Sequence, residues 1–290
     1  MLNEYRIQSS EFRVQSLDIQ AVTSELLNLL NYLNSHFTSH VSRLTLFLLF
    51  TFHFSLCTDV QAARPLVTED AVVAGKGITQ LEIGIDYTKV GDDEEGTTLL
   101  VSPIHGATED TEFFLKLPYI LGRRDNPSEV DGWGDISFIM KHLVITEGDK
   151  IPAFLVRMAI KLPTGDKEKG LGTGDTNVGF LGALTKGFGP STVHLNLGYT
   201  FVGDQNQGGD NNEVNYGIAG EYDIGKKTKV VGEIYGLYHP DYKAREIERR
   251  ALLGLAHRLN DTFTVDFAGK RGIEAASDEY GFIGGVTITF

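Results

Sequence analysis

Ionisable side chains of both signs recur at alternating positions of several short segments, and this spacing is the strongest chemical signal in the chain. Glu82 and Asp86 alternate with apolar residues, as does Lys116 further along. Every second side chain of a strand points to the same face of a sheet, so such charges would share one face. If that face encloses water, they are candidate pore-lining residues. The complete set is Glu82, Asp86, Glu112, Lys116, Lys141, Arg157, Lys161, His194, Glu221, Asp223, Glu233, Arg250, Arg258 and Asp266.

Motifs for other chemistry fail on their spacing. The histidines beyond residue 62 form no HxH or HExxH pair, so a zinc site is not indicated. The glycine-rich stretch 170–174 lacks the lysine and the strand–helix unit of a phosphate-binding loop. Asp204, Gln205 and Asn206 begin like a calcium loop, but the ligand spacing fails after the third position. We therefore expect no catalytic site, no cofactor and no metal.

Alternating apolar and polar residues predict the elements that carry these charges. The clearest runs are 80–89, 193–201 and 214–224, and their period of two excludes an amphipathic helix there. Weaker runs are Thr97–Ile104, Thr111–Tyr119, Trp133–Ile145, Pro152–Leu162, Asp175–Thr185, Lys229–Tyr238, Glu248–Arg258 and Thr262–Lys270. The last run is Tyr280–Phe290. The sequence thus predicts twelve strands.

Long and short connections alternate between these strands. The longer ones are Gly91–Gly96, Leu121–Gly132, Pro163–Gly174, Gly203–Asn211, His239–Glu246 and Lys270–Glu279. The shorter ones are Gly106–Glu109, Thr146–Lys150, Gly187–Pro190, Gly225–Lys227 and Leu259–Asp261. This alternation is typical of outer-membrane barrels with long outer loops and tight periplasmic turns. We predict an all-β, closed, antiparallel up-and-down transmembrane β-barrel of about 12 strands, with both termini on the periplasmic side.

The inward charges of such a barrel separate by sign. A basic group on neighbouring strands would lie across the barrel from an acidic group: Lys141, Arg157 and Lys161 against Glu221, Asp223 and Glu233. Opposed charges could create a transverse field that orders polar solutes in a constriction. Alternatively, the charges pair with one another and plug a narrow barrel. The sequence leaves both possibilities open.

Composition agrees with a barrel that is embedded in lipid. The 33 glycines, 17 Phe and 11 Tyr suit a sheet protein, and the net charge of −13 argues against nucleic acid as a partner. Outward aromatic residues would form girdles at the two membrane interfaces. These are Tyr87, Tyr119, Tyr199, Tyr222, Tyr238 and Phe290.

Residues 42–62 resemble a secretory signal peptide. Arg43 precedes an apolar run, 44–57, and Val60-Gln61-Ala62 gives the small-x-small pattern of signal peptidase cleavage. A lipoprotein signal would need a small residue before Cys57, where Leu56 stands. Residues 1–41 precede this signal. Either the start codon has been assigned too early and translation begins near Val41, or these residues are a polar cytoplasmic extension. The expected domains are therefore 1–41, the leader 42–62 and a Gram-negative outer-membrane barrel over 63–290.

The end of the chain predicts a partner. A terminal aromatic with apolar residues at alternating positions before it resembles the signal read by the outer-membrane barrel insertion machinery. The residues that match are Phe282, Val286, Ile288 and Phe290. The other expected partners are outer-membrane lipid and a small-molecule solute.

Four motifs occur together in the order of a known family. They are 64–71 (RPLVTEDA), 80–82 (QLE), 132–136 (GWGDI) and 161–166 (KLPTGD). Over nearly all of 64–290 the chain resembles the outer-membrane family catalogued as "putative MetA-pathway of phenol degradation". A Tyr usually follows the Lys after the GD strand, and Lys141-His142 stands here instead. The resemblance implies a barrel that passes aromatic or other hydrophobic compounds. The residues themselves indicate that 163–166 is a turn, since proline fixes φ and glycine supplies positive φ.

Three functional hypotheses follow. The favoured one is an outer-membrane channel for passive passage of small solutes, with selectivity from the charged lumen. The second is a non-conducting structural or adhesive barrel that acts through its outer loops. The third is a barrel enzyme acting on lipid, for which His142 and His257 would be the outward candidates.

Overall fold

The computed structural model describes residues 64–91, 94–125, 128–203, 212–239, 247–274 and 277–290. Its strands are β1 (Thr79–Lys89), β2 (Glu94–Gly106), β3 (Thr111–Asp125), β4 (Ser128–Trp133), β5 (Ile136–Ile145), β6 (Ala153–Leu162), β7 (Asn177–Phe188), β8 (Ser191–Phe201), β9 (Glu213–Ile224), β10 (Thr228–Tyr238), β11 (Ile247–Arg258), β12 (Phe263–Gly272) and β13 (Tyr280–Thr289). No helix in these ranges is long and apolar enough to cross a membrane. The predicted leader, residues 1–41 and the stretch 204–206 lie outside the described residues.

The strands close into an antiparallel ring. β1 pairs with β2 and β13, β2 pairs with β3, β3 pairs with β5, and each later strand pairs with the next along the chain. Twelve strands form this ring, and β4 is an additional strand on β3. The ring closes where Phe290 donates its N–H to the carbonyl of Thr79 at 2.8 Å. The predicted up-and-down barrel is confirmed.

Sequence reasoning placed the elements around β4 incorrectly. It predicted one strand over 133–145 after a loop over 121–132, whereas β3 continues to Asp125 and β4 returns beside it. The returning chain breaks at Gly134 and Asp135 before β5 begins. Gly132 supplies the positive φ of 152° at this break, and the Gly134 N–H donates to the Pro118 carbonyl at 2.9 Å. The alternation of apolar and polar residues did not predict this hairpin because its residues are mostly polar. Strands can pair without such alternation where they do not face lipid.

The predicted connection 91–96 is also shorter than expected. β2 begins at Glu94, three residues before the predicted start at Thr97. The Val90 N–H donates to the Glu94 carbonyl at 2.8 Å, so pairing with β1 continues almost to the turn. The charged residues there suit a strand that extends into water as well as they suit a loop.

Large apolar side chains cover the outer face of the barrel. Leu195 is 45% exposed, Leu197 66% and Leu253 69%, at positions that alternate with buried residues. Aromatic pairs add to this face, including Phe267 stacked on Phe282 with ring centroids 6.1 Å apart and Tyr119 at 5.2 Å from Trp133. Such a continuous apolar exterior requires lipid around it, since water would leave it unstable.

The interior is built around the residues that precede β1. We call residues 64–78 the lumen segment. Each of the three buried apolar clusters combines strand residues with side chains of this segment, namely Ala71 and Val73 in one cluster, Ala74 and Ile78 in the second and Leu66 in the third. The strand residues in these clusters lie on inward-facing positions of nine of the twelve ring strands. The lumen segment therefore lies inside the barrel.

Candidate functional site

The lumen segment winds around the inside of the barrel before it enters β1. Arg64 begins it beside Asp266 of β12, at 3.2 Å from guanidinium nitrogen to carboxylate oxygen. At the other end, the Gly77 N–H donates to the Gly106 carbonyl at 2.8 Å, next to the start of β1. Between these points it contacts side chains of β10, β8, β7, β6, β5 and β3. It thus follows the inner wall past most strands of the ring.

Side chains of the strands accept the backbone hydrogen bonds of this segment. A chain that pairs with no strand must find other acceptors for its buried N–H groups. Glu233 accepts from the N–H groups of both Val67 and Thr68 at 2.7 Å. The other bonds run from Glu69 N to Asn196 Oδ1 at 2.7 Å, Ala71 N to Thr185 Oγ1 at 2.7 Å, and Ala74 N to Glu112 Oε2 at 2.6 Å. The barrel interior is therefore specific for this backbone.

A buried cluster of charges fixes the middle of the segment. The ammonium group of Lys141 lies 3.2 Å from Asp70, 3.4 Å from Glu69 and 3.4 Å from Glu112. Arg157 binds Glu69 at 2.7 Å. Lys141 is only 4% exposed, so solvent screens these interactions little. Two cations of the wall hold two carboxylates of the segment.

Inward glycines leave room for the segment. A Cβ on Gly217 of β9 would lie 2.5 Å from Thr68 Oγ1 and 3.4 Å from Thr68 Cβ. A Cβ on Gly106 would overlap the carbonyl of Gly75, which is backbone and cannot rotate away. A larger residue at Gly106 would force the segment to move, and one at Gly217 would displace the Thr68 hydroxyl.

All of the predicted pore-lining residues occupy inward-facing positions of their strands, but most of them bind a partner. Several bind the lumen segment, namely Glu112, Lys141, Arg157, Glu233 and Asp266. Others pair with strand or loop residues: Asp86 with Lys270 at 2.6 Å, Lys161 with Asp135 at 3.3 Å, Arg250 with Asp278 at 2.7 Å, and Glu221 with Lys229 at 2.8 Å and His194 at 3.7 Å. Asp223 and Arg258 lie at the ends of β9 and β11 that carry the short turns. Most of these charges therefore bind the segment or a neighbouring strand or loop residue, and no ion pair in the described ranges joins the predicted basic group to the predicted acidic group.

Among the predicted pore-lining residues, Glu82, Lys116 and Asp223 make no ion pair in the described part of the chain, and the first two face one cavity. Glu82 of β1 and Lys116 of β3 make no ion pair within 4.0 Å and no hydrogen bond among the described residues. Both face a cavity of about 260 Å³ between the lumen segment and the wall formed by β1, β2, β3 and β13. The rest of the cavity wall combines apolar side chains, among them Leu66, Leu100 and Phe114, with charged residues that bind other partners.

Comparison with known proteins identifies the family of this chain. The sequence profile of the family described as "Putative MetA-pathway of phenol degradation" matches residues 62–290. The chain belongs to this family. No curated protein matches the sequence.

Solved structures share the fold of this family member at low sequence identity. One is described as the COG4313 outer membrane channel from Pseudomonas putida F1, with a TM-score of 0.61 and 11% identity over 79% of this chain and 100% of that one. Another is the NanC porin, with a TM-score of 0.53 and 12% identity over 72% of this chain and 98% of that one. At such identities the similarity establishes an outer-membrane β-barrel fold.

Two of the motifs that carried the family resemblance meet in space. The break at Gly134 and Asp135 is covered by the loop 163–175, which we call the return loop. Asp135 accepts hydrogen bonds from the N–H of Gly165 at 3.0 Å and of Thr173 at 2.8 Å, and it pairs with Lys161. Leu171 is buried against Gly132 and Gly134. The glycine-rich stretch 170–174 is thus part of a folded loop over the strand break.

The outward histidines do not form the relay of a hydrolase. His142 and His257 each bond a cross-strand threonine through Nδ1, Thr111 at 2.9 Å and Thr228 at 2.8 Å. Asp110 also lies nearest Nδ1 of His142, at 4.0 Å. A catalytic base would bind its acid and its nucleophile through different ring nitrogens. No group of three metal-binding side chains occurs in the described ranges.

Sequence reasoning missed the lumen segment. It used residues 64–71 only as a family motif and assigned them no place in the barrel. The available signal was the acidic pair Glu69 and Asp70 in a short polar stretch ahead of the first strand, opposite basic residues predicted on inward positions. The side-chain partners of the segment lie 38 to 202 residues away, from Glu112 to Asp266, and no local pattern identifies them.

Proposed function

We propose that this protein is a passive channel for small solutes in a Gram-negative outer membrane, and that the lumen segment narrows its path. The observation that carries the proposal is the closed barrel whose inward charges surround a non-strand segment. An inward face that only filled a core would need no charged residues, because apolar residues pack without ion pairs. The neighbours described as a channel and a porin support the same role.

The family description supports small aromatic or hydrophobic compounds as solutes. The free path that we propose beside the segment is the cavity next to Glu82 and Lys116, which has a partly apolar wall and a volume of about 260 Å³. A solute of that size would pass as a single molecule and not as part of a wide water column. We propose export by the leader 42–62, insertion through the terminal signal at Phe290, and lipid around the outer face.

A planar-bilayer recording tests this proposal. The protein is purified from outer membranes of a host that expresses the full chain, together with a variant in which residues 64–72 are replaced by a glycine–serine stretch of equal length. We expect a small conductance from the natural protein and a conductance several times larger from the variant. A silent bilayer in both cases would contradict the channel.

A non-conducting structural barrel is the second candidate. The pairing of nearly every inward charge supports it, because a wall saturated with ion pairs leaves few sites for a passing solute. The same recording separates the two, since this candidate predicts silence even after the segment is replaced by a stretch that binds none of these charges.

A further inference from the structure

One row of inward side chains contains Glu82 and Lys116, two charges without ion pairs among the described residues. Glu82 lies directly opposite Ser102, and the register between β2 and β3, from Val101↔Leu117 to Ile104↔Phe114, places Ser102 opposite Lys116. The row Glu82–Ser102–Lys116 therefore crosses three neighbouring strands at one level. Two strand spacings separate the outer Cα atoms by about 10 Å. The wall is concave on this side, so the two charged side chains lean toward the same space.

Apolar side chains lie on both sides of this row. Leu100 is one inward step away toward the loops, and Ile104 and Phe114 are one inward step away toward the turns. Ile283 of β13 and Leu66 of the lumen segment complete the wall of the same cavity. A carboxylate and an ammonium group thus face one small chamber that also has apolar surfaces.

The other charges at this chamber are already bound. Arg64 is held by Asp266, Glu69 by Arg157 and Lys141, and Asp86 by Lys270. Of the charged residues that line the cavity, Glu82 and Lys116 are the two for which the described part of the chain shows no ion pair and no hydrogen bond. A buried charge without a partner is costly, so this pair is complementary to a ligand that brings both opposite charges.

We propose that this chamber binds a small zwitterion that carries an apolar side chain. Its carboxylate binds Lys116, its ammonium group binds Glu82, and its apolar part packs against Leu100, Phe114 and Ile283. Ligands with one charge satisfy one residue and leave the other unpaired. The inference rests on the proposed function, because the chamber is the free path beside the lumen segment.

Calorimetric titration in detergent tests this site without any need for conduction. The probes are phenylalanine, 3-phenylpropanoate and phenethylamine, which share the ring and differ in charge. We expect phenylalanine to bind at least tenfold more tightly than either of the others. Equal affinity for the three probes would overturn the proposal, even if the protein conducts ions. Tenfold selectivity in a protein that is silent in bilayers would support the site while contradicting the channel.

Two variants test which charged group of the ligand each residue binds. Lys116→Met is expected to remove the advantage of phenylalanine over phenethylamine, and Glu82→Gln its advantage over 3-phenylpropanoate. Asp223→Asn, at an inward position away from the chamber, is the matched control and should change neither ratio. An unchanged preference in both chamber variants would refute the assignment. Should either variant fail to fold, the ratio between probes on the natural protein still decides the main claim.

Discussion

The lumen segment and the return loop both need acceptors for backbone N–H groups that no strand pairing satisfies. They differ in how far along the sequence these acceptors lie. Neither pairs as a strand, and in both, side-chain carboxylates accept the backbone N–H groups: Glu233 for the segment and Asp135 for the loop. The loop bonds lie within 38 residues of Asp135, whereas Glu233 is 165 residues or more from its donors. The segment also buries an ion cluster, and the loop is held near the surface.

This difference implies different consequences for stability. The segment joins nearly every part of the ring, so a change there should affect the whole barrel. The return loop joins only β5, β6 and the break beside β4, so a change there should stay local. Substitutions in the two regions can therefore be compared directly, since sites without shared partners act independently.

The largest effect is expected at Lys141. Lys141→Met leaves Glu69, Asp70 and Glu112 close together without their shared cation. Removing one partner of a buried ion pair costs about 3–5 kcal/mol of unfolding free energy. Equilibrium urea unfolding in lipid, followed by the loss of folded-barrel mobility on a gel, measures this cost.

Lys186→Met is the matched control. Its pair with Glu147 lies at an exposed turn, where such pairs contribute about 0–1 kcal/mol. If the two variants were equally stable, the buried cluster would not hold the barrel together.

A smaller effect is expected at Glu233. Glu233→Gln keeps one acceptor but turns an amide group toward one of the two N–H donors. Losing one hydrogen bond to a charged group lowers the free energy of local opening by about 2 kcal/mol. The Val67 and Thr68 amide hydrogens should then exchange roughly 30-fold faster. Hydrogen exchange read by mass spectrometry measures it. Exchange at Gly165 and Thr173 should not change, and a parallel rise there would show that the two regions are coupled.

The return loop should respond less. Asp135→Asn retains one acceptor and loses the charge that faces Lys161 and Thr173. We expect the local opening free energy of the loop to fall by about 1 kcal/mol, which makes exchange of the Thr173 amide hydrogen roughly fivefold faster. Exchange in the lumen segment should not change. Faster exchange at Thr68 in this variant would contradict the local character of the loop.

The smallest effect concerns the pH response of the turn after β5. Hydrogen bonds from Lys186 and from the Gly187 N–H lower the pKa of Glu147. A lowered pKa means that this contact stabilises the fold above the ordinary glutamate pKa of about 4.3 and is lost as pH falls through the lower folded value. The Gly187 amide signal in NMR should therefore shift with a midpoint below 4.3. A midpoint at or above that value would show that the carboxylate is not held.

The alternation of apolar and polar residues predicted the strands that face lipid. It did not predict the hairpin of β3 and β4, where no lipid-facing side is required. The alternation in 193–201 located β8, because each outward Leu must meet acyl chains. The hairpin of β3 and β4 lacks that constraint, and its polar residues gave no period. The inward positions of Glu82 and Lys116 followed from the same alternation. Their freedom from ion pairs depends on where the lumen segment runs, which is set by contacts between residues far apart in the chain.

The central claim is that the lumen segment sits in the barrel and limits the current. The Thr68 Cβ lies 3.4 Å from the ideal Cβ of Gly217, close to the 3.5–4.5 Å that a disulfide spans. The most direct measurement is therefore a single-channel recording of a variant with Thr68→Cys and Gly217→Cys, together with Glu233→Gln to loosen the segment. We predict that the reduced protein shows transitions to a higher current, and that oxidation abolishes them reversibly. The same current trace in both redox states, with the crosslink formed, would contradict the account.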